Sequence, residues 1–385
     1  MNQIGRKLFG AKVYEPAELV EKLDRTISNV IANKDKVQTV NLDPVNLNSP
    51  QNNPQNHLPK DVEKINQDTT KYLTEVKRVL AKPGENEQQN PAFTNDYIQL
   101  LIEHIVKRKE LVFNMLVALE YVSFESKKEI SHIVGALLRR GSDGSGDMGH
   151  SMGVVMKHVY LNPKILDLLV NNYNSQKNDV ALNSGQVLRE CIKNEDLTLE
   201  VLEKHHEKFF DYKKLTKNLT VIFFFGFDFM FFKTFFHANL ASFDILSDAF
   251  STFRDLMTRH KHTVKKFLEE NYQTFLKNYN ERLIESENYV TKRQSIKLLS
   301  EVLLDKINFN VMSAYVADVD NLKVIMKLLG DRSAAITKLL NKNNSEFYEN
   351  TFLRLFLITF VCLKLSTFSK YLWQILENQK KWSDC

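Results

Sequence analysis

The stretch Ser286-Glu-Asn-Tyr-Val-Thr-Lys-Arg-Gln-Ser-Ile-Lys-Leu-Leu-Ser-Glu-Val-Leu-Leu-Asp305 decides the fold. Ser286 and Asn288 supply N-cap chemistry, and Glu287 suits the positive end of a helix. Tyr289, Ile296, Leu299, Val302 and Leu303 then recur at about 100° per residue, which makes one apolar face. Leu298 and Leu304 fall beside that stripe, so the helix is expected to touch more than one neighbour. Arg293 and Lys297 stand one turn apart on another side, two cations held together by i,i+4 spacing. The spacing predicts a core helix of a stacked array that also presents a charged face.

Working outward, all eight prolines lie at or before Pro163, and after Gly153 only Gly185, Gly226 and Gly330 follow. A chain so free of breakers, with apolar residues at helical spacing, is expected to be almost entirely α-helical. Its 385 residues, 43% hydrophobic and 26% charged, suffice for a large core or one elongated array. A net charge of +5 with scattered basic residues admits an acidic partner and does not single out nucleic acid. Cys191, Cys362 and Cys385 have no paired spacing for zinc or a disulfide framework, which fits a reduced, cytoplasmic setting. The first residues lack the apolar run of a secretory signal, and no lipidation signature is present.

Pro16 marks an N-terminal helix within 1–34, and the Asn-, Gln- and Pro-rich stretch 35–60 reads as a flexible linker. From Val62 helices follow one another. Four segments share an apolar anchor followed by a helix with a charged end: Phe124–Arg140, Asp179–Ile192, Phe243–His260 and Tyr289–Asp305. Asp331 is the candidate start of a fifth. Anchor spacings of about 45 residues late in the chain, and longer earlier, lie in the HEAT and armadillo range. The expected fold is therefore an all-α, armadillo/HEAT-like helical-repeat solenoid over 61–336, with a divergent helical C-terminus over 337–385.

Within that array, 213–237 is an aromatic insertion. Leu219 to Phe236 approaches the length of a membrane span, but Asp228 and Lys233 would each cost about 3 kcal/mol near a bilayer centre. No membrane partner is expected.

Candidate catalytic motifs are weak. Gly149-His150-Ser151-Met152-Gly153 matches a nucleophile elbow, which needs a strand leading in, whereas here a polar glycine-rich loop precedes it. An esterase using Ser151 is the remote alternative. Asp143 with Asp147, and Asp318 with Asp320, lack EF-hand spacing. His205-His206-Glu207 and His260-Lys261-His262 do not make a zinc motif and read as surface histidines. No cofactor, metal site or enzyme activity is expected.

Several blocks are similar to the calcium-binding protein 39 family of armadillo-like scaffolds. They include Phe124-Glu-Ser-Lys-Lys-Glu-Ile with Leu137-Leu-Arg-Arg140, Ala181-Leu-Asn-Ser-Gly with Leu188-Arg-Glu-Cys-Ile192, and the run from Ser242 to Lys261. The resemblance continues through Ser286–Ser295, Asn308-Phe309, Asn321-Leu-Lys and Leu328-Leu, and covers about Lys7 to Ile336. It implies a non-catalytic scaffold that docks a kinase-fold partner, a pseudokinase adaptor or a sterile-twenty-type kinase, on a concave face. It also implies a pocket for a C-terminal Trp-Glu-Phe tail of the partner, with no EF-hand. Position by position, Arg293, Lys297 and Met326 match the peptide-pocket side, and Phe309 matches a kinase contact. Lys306 stands where the family has Arg, which keeps the charge without the guanidinium fork. Residues 213–237 have no counterpart. Near the C-terminus Glu377 falls where a pocket lysine is expected, while Lys381 matches one. An alternative is a degraded isoform of this scaffold that binds its partner poorly.

Overall fold

The structure is a computed structural model that describes residues 7–8, 11–36, 60–81, 94–140, 154–174, 177–210, 229–286 and 288–329. The linker at 37–59, Ser151 in its glycine-rich loop, most of the aromatic insertion, the candidate fifth repeat from Asp331, Lys381 and the rest of 337–385 lie outside the described residues. Apart from a two-residue antiparallel pair, β1 (Lys7–Leu8) with β2 (Ala11–Lys12), the regular elements described are helices. The fold is the all-α helical repeat that the sequence predicts.

In chain order the helices are α1 (Pro16–Ala32), α2 (Lys60–Leu80), α3 (Asn95–Lys107), α4 (Leu111–Ala118), α5 (Phe124–Arg140), α6 (Val154–Tyr160) and α7 (Pro163–Asn171). They continue as α8 (Asn178–Cys191), α9 (Glu195–His205), α10 (Phe229–Thr258), α11 (Lys261–Glu270), α12 (Tyr272–Tyr279), α13 (Tyr289–Leu303), α14 (Phe309–Ala317) and α15 (Val319–Leu329). The chain divides into two compact units. The first comprises Met1–Val201 with Lys213–Thr252, and the second Leu202–Tyr212 with Phe253–Cys385.

In the first unit α2, α5 and α8 stack in succession, and α1 packs against α2, α3 and α4. Apolar side chains from each close the core, among them Leu23, Leu73, Leu101, Leu116, Ile133 and Leu188, all fully buried. The stack is also stitched by polar rungs at a constant interval. Lys77 pairs with Glu129, Lys127 with Asp179, and Ser131 with Asn183, each 52 residues along the chain. A recurring interval of this kind is what repeat architecture requires, because each unit must meet its neighbour in the same register.

The repeat interval lengthens between α8 and α10, where Arg189 reaches Thr252, 63 residues on. The expected start of this repeat helix was Phe243; the helix begins at Phe229 and runs 30 residues. No proline or glycine follows Gly226 in this region, so nothing in the sequence stops the helix from extending back through the aromatic run.

In the second unit an aromatic cluster replaces much of the aliphatic core. Phe209 stacks on Phe253 with centroids 5.6 Å apart, and Phe210 lies 5.3 Å from Phe275. His206 sits 5.1 Å from the Phe267 ring and its Nδ1 meets the Leu202 carbonyl at 2.6 Å, while His205 is buried. These histidines are therefore packing residues and not the surface pair that the sequence suggests. Intervals here are shorter: 47 residues for Arg254–Glu301, 42 for Glu285–Lys327 and 41 for Asn280–Asn321.

Candidate functional site

The opening stretch folds as its chemistry dictates. Asn288 Oδ1 accepts the Val290 and Thr291 amides at 2.9 and 3.1 Å, satisfying two of the first-turn donors that a helix leaves open. Ser286 Oγ in turn accepts the Asn288 amide at 3.2 Å. At the other end Asp305 Oδ1 accepts the Ile307 amide at 3.2 Å, turning the chain into the short 3-10 segment Lys306–Asn308. The Asp305 carboxylate also meets Lys261 Nζ at 2.7 Å. That ammonium holds the carboxyl below the usual carboxylate range, with help from the Ile307 amide and against the cost of partial burial.

Ile296, Leu298, Leu299, Val302 and Leu303 bury the inner side of α13. Leu298 is as buried as the main stripe, so the helix does meet more than one neighbour. Thr291, Ser295 and Ser300 are buried as well. Arg293, Lys297 and Glu301 follow one another at i,i+4 intervals on the exposed side. Glu301 is engaged by Arg254 in a two-pronged pair, Nε–Oε2 at 3.0 Å and Nη2–Oε1 at 3.1 Å. Arg293 has no ion-pair partner among the described residues.

Lys306 and Phe309 stand at the far end of the same helix. Lys306 is exposed, and Phe309, the first residue of α14, is 63% exposed despite its size. Asn310 Nδ2 ties that turn to Glu269 at 3.0 Å, so Phe309 is presented from an anchored position. From Arg293 to the end of α13 is about 15 Å of helix rise. The predicted residues thus fall into two groups, Arg293 and Lys297 on α13, and Lys306 and Phe309 in the turn beyond its end. Met326 is placed by its backbone on α15, beside Lys327, which pairs with Glu285 at 2.7 Å.

Other candidates dissolve. Asp318 Oδ1 accepts the Asp320 amide, and Asp320 pairs with Lys323 at 2.8 Å, so both serve the start of α15. Among the described residues no group of three or more His, Cys, Asp or Glu side chains could hold a metal ion. Ser151 and the residues leading into it lie outside the described residues, between α5 and α6. Cys191 is fully buried, and burial pushes its thiol up to about 12, which makes it inert. Among the described residues no helix is long and apolar enough to cross a membrane.

Comparison with known proteins fits this arrangement of stacked helices. A family model described as Mo25-like matches residues 8–338. The chain belongs to the Mo25-like family. A human protein named calcium-binding protein 39-like is 36% identical over 277 residues, covering 72% of this chain and 70% of that protein. A Caenorhabditis elegans protein named MO25-like protein 2 is 32% identical over 307 residues, 77% of this chain and 73% of its own. A Schizosaccharomyces pombe Mo25-like protein is 36% identical over 232 residues, 60% of each chain. Mo25-like membership supports reading the chain as a scaffold protein of this family.

Sequence reasoning missed the rungs between repeats. Arg139 reads as a helix-dipole partner, yet it pairs across to Glu190 at 3.1 Å. Arg189 meets Asp248 at 2.7 Å, and Arg254 meets Glu301. The available signal was a basic residue followed about one repeat later by an acidic one.

Proposed function

We propose that this chain is a non-catalytic scaffold that docks a kinase-fold partner, a pseudokinase adaptor or a sterile-twenty-type kinase, and holds it in its active conformation. The observation that carries this reading is the exposed Arg293, without an ion-pair partner among the described residues and one turn from the exposed Lys297. An acidic C-terminal tail such as Trp-Glu-Phe offers a side-chain and a terminal carboxylate to such a face, and Arg binds carboxylates in two-pronged geometry. Phe309, at the other end of α13, gives the body of the partner an apolar anchor of the kind that dominates interface energetics. Because docking stabilises only one of the partner's conformations, activation follows as a population shift.

The test is to mix the full chain with a sterile-twenty-type kinase and with an adaptor pseudokinase, and in parallel to titrate a peptide ending in Trp-Glu-Phe. Arg293→Ala is expected to weaken the peptide by roughly tenfold or more, the loss of one charge-assisted pair. Absence of binding and of activation with either partner would overturn the proposal.

A further inference from the structure

Between α12 and α13 the chain makes a π-helical turn, Asn280–Ile284, closed by the Glu285 amide donating to the Asn280 carbonyl at 2.9 Å. Such turns are rare, and they concentrate at functional sites. The two residues at its start face different helices. The Tyr279 hydroxyl donates to the Ser295 carbonyl of α13 at 2.8 Å, the carbonyl one helical turn before the Leu299 amide. Asn280 Nδ2 donates to Asn321 Oδ1 of α15 at 2.7 Å, and the Tyr315 hydroxyl donates to Asn280 Oδ1 at 3.3 Å. Just past the turn, Glu285 reaches Lys327 of α15.

We infer that Tyr279 and the π-turn after it form a positioning device for the tail-binding site, fixing α13 at Ser295 and α15 on either side of Met326. Ser295 lies between Arg293 and Lys297, and Asn321 and Lys327 bracket Met326, so one short turn holds both helices that carry the tail-binding residues. This rests on the tail-docking reading proposed above. The Tyr279 ring is locked by the aromatic cluster, 5.9 Å from Phe275 and 6.2 Å from Phe210 and Phe253. Burial, with the neighbouring Tyr315 next in effect, raises its hydroxyl well above the ordinary tyrosine range, so it remains a donor across the physiological range. A small apolar cavity lies beneath α13, bordered by Tyr279, Leu299 and Val302 among others.

The experiment compares the Trp-Glu-Phe peptide affinities of the wild-type chain, Tyr279→Phe, Arg293→Ala and the double variant. Tyr173→Phe is the control, because it also removes a buried hydroxyl, bonded to Asp248 and Thr252 in the first unit, whereas α13 belongs to the second. Tyr279→Phe is expected to weaken binding about three- to tenfold, the range of one lost buried hydrogen bond. It should add little in the Arg293→Ala background, and Tyr173→Phe should leave affinity unchanged at similar thermal stability. Amide exchange at Leu299 should accelerate in Tyr279→Phe without peptide present. If the wild-type chain fails to bind the peptide, the docking reading falls and this inference with it. If Arg293→Ala weakens binding while Tyr279→Phe alters neither affinity nor exchange, the inference alone is overturned.

Discussion

Helices α8 and α13 are of nearly equal length, 14 and 15 residues, and each packs within its own unit, yet they spend their charges differently. On α8 each charged side chain is engaged by a neighbour: Asp179 by Lys127, Arg189 by Asp248, and Glu190 by both Arg139 and Lys193. On α13 Glu301 is engaged by Arg254, but Arg293 has no ion-pair partner among the described residues. In a repeat array a cation that finds its acid on the next helix is part of the stitching. One that stays exposed with no such acid is available to something outside the chain. The difference separates charges engaged within the array from those that are not, where composition alone does not.

The sharpest way to break the α8 side is Gly185→Ala. A Cβ there would collide with Asp248 Oδ2 and the Tyr173 hydroxyl, members of the network that joins α8 to α10. Helix propensity favours alanine, so a loss of about 3 kcal/mol in denaturant unfolding would come from overpacking alone. Asp179→Ala comes next. Lys127 keeps only 7% of its side chain exposed and would be left without its carboxylate, at a cost of about 2 kcal/mol given that Asp179 is 27% exposed. On the α13 side Arg293→Ala should leave stability within about 0.5 kcal/mol of wild type while affecting the peptide affinity. A large stability loss there would place Arg293 among the stitching residues.

The smallest effect expected concerns pH. Asp305 has its folded pKa lowered by Lys261, so its contribution is present above the unfolded carboxylate value and fades as pH falls through the lower folded one. As pH falls from about 4 through the lowered folded pKa, Lys261→Ala and wild type should therefore converge in stability, with a slight deficit for the variant at neutral pH.

Much of this was legible in the residues. The Asn288 cap, the apolar face of α13 and the exposed pair Arg293 and Lys297 follow from local spacing, because helix periodicity needs no knowledge of neighbours. Phe309 was found only through family resemblance, since an exposed aromatic after a turn carries no signature of its own. The π-turn was not legible at all: Asn280 and Tyr279 have ordinary propensities, and what makes the wider turn favourable is tertiary, a hydroxyl to Ser295 and an amide to Asn321. His205 and His206 misled for the complementary reason. A polar pair in sequence reads as surface until the phenylalanines that enclose it, Phe267 and Phe275, arrive from elsewhere in the chain.

The rungs between repeats have one further consequence, for the entropy of the chain. Rungs in the first stack close 52 residues, whereas α1 is tied down by Tyr97 on Tyr14 and Arg108 on Asp24, across 83 and 84 residues. Closure cost grows only with the logarithm of length, so this less-than-twofold detour costs under about 0.6 kcal/mol. A single well-made rung offsets it. Length added between rungs is thus nearly free to the fold, whereas the same length placed inside a rung-bearing helix would shift every partner beyond it.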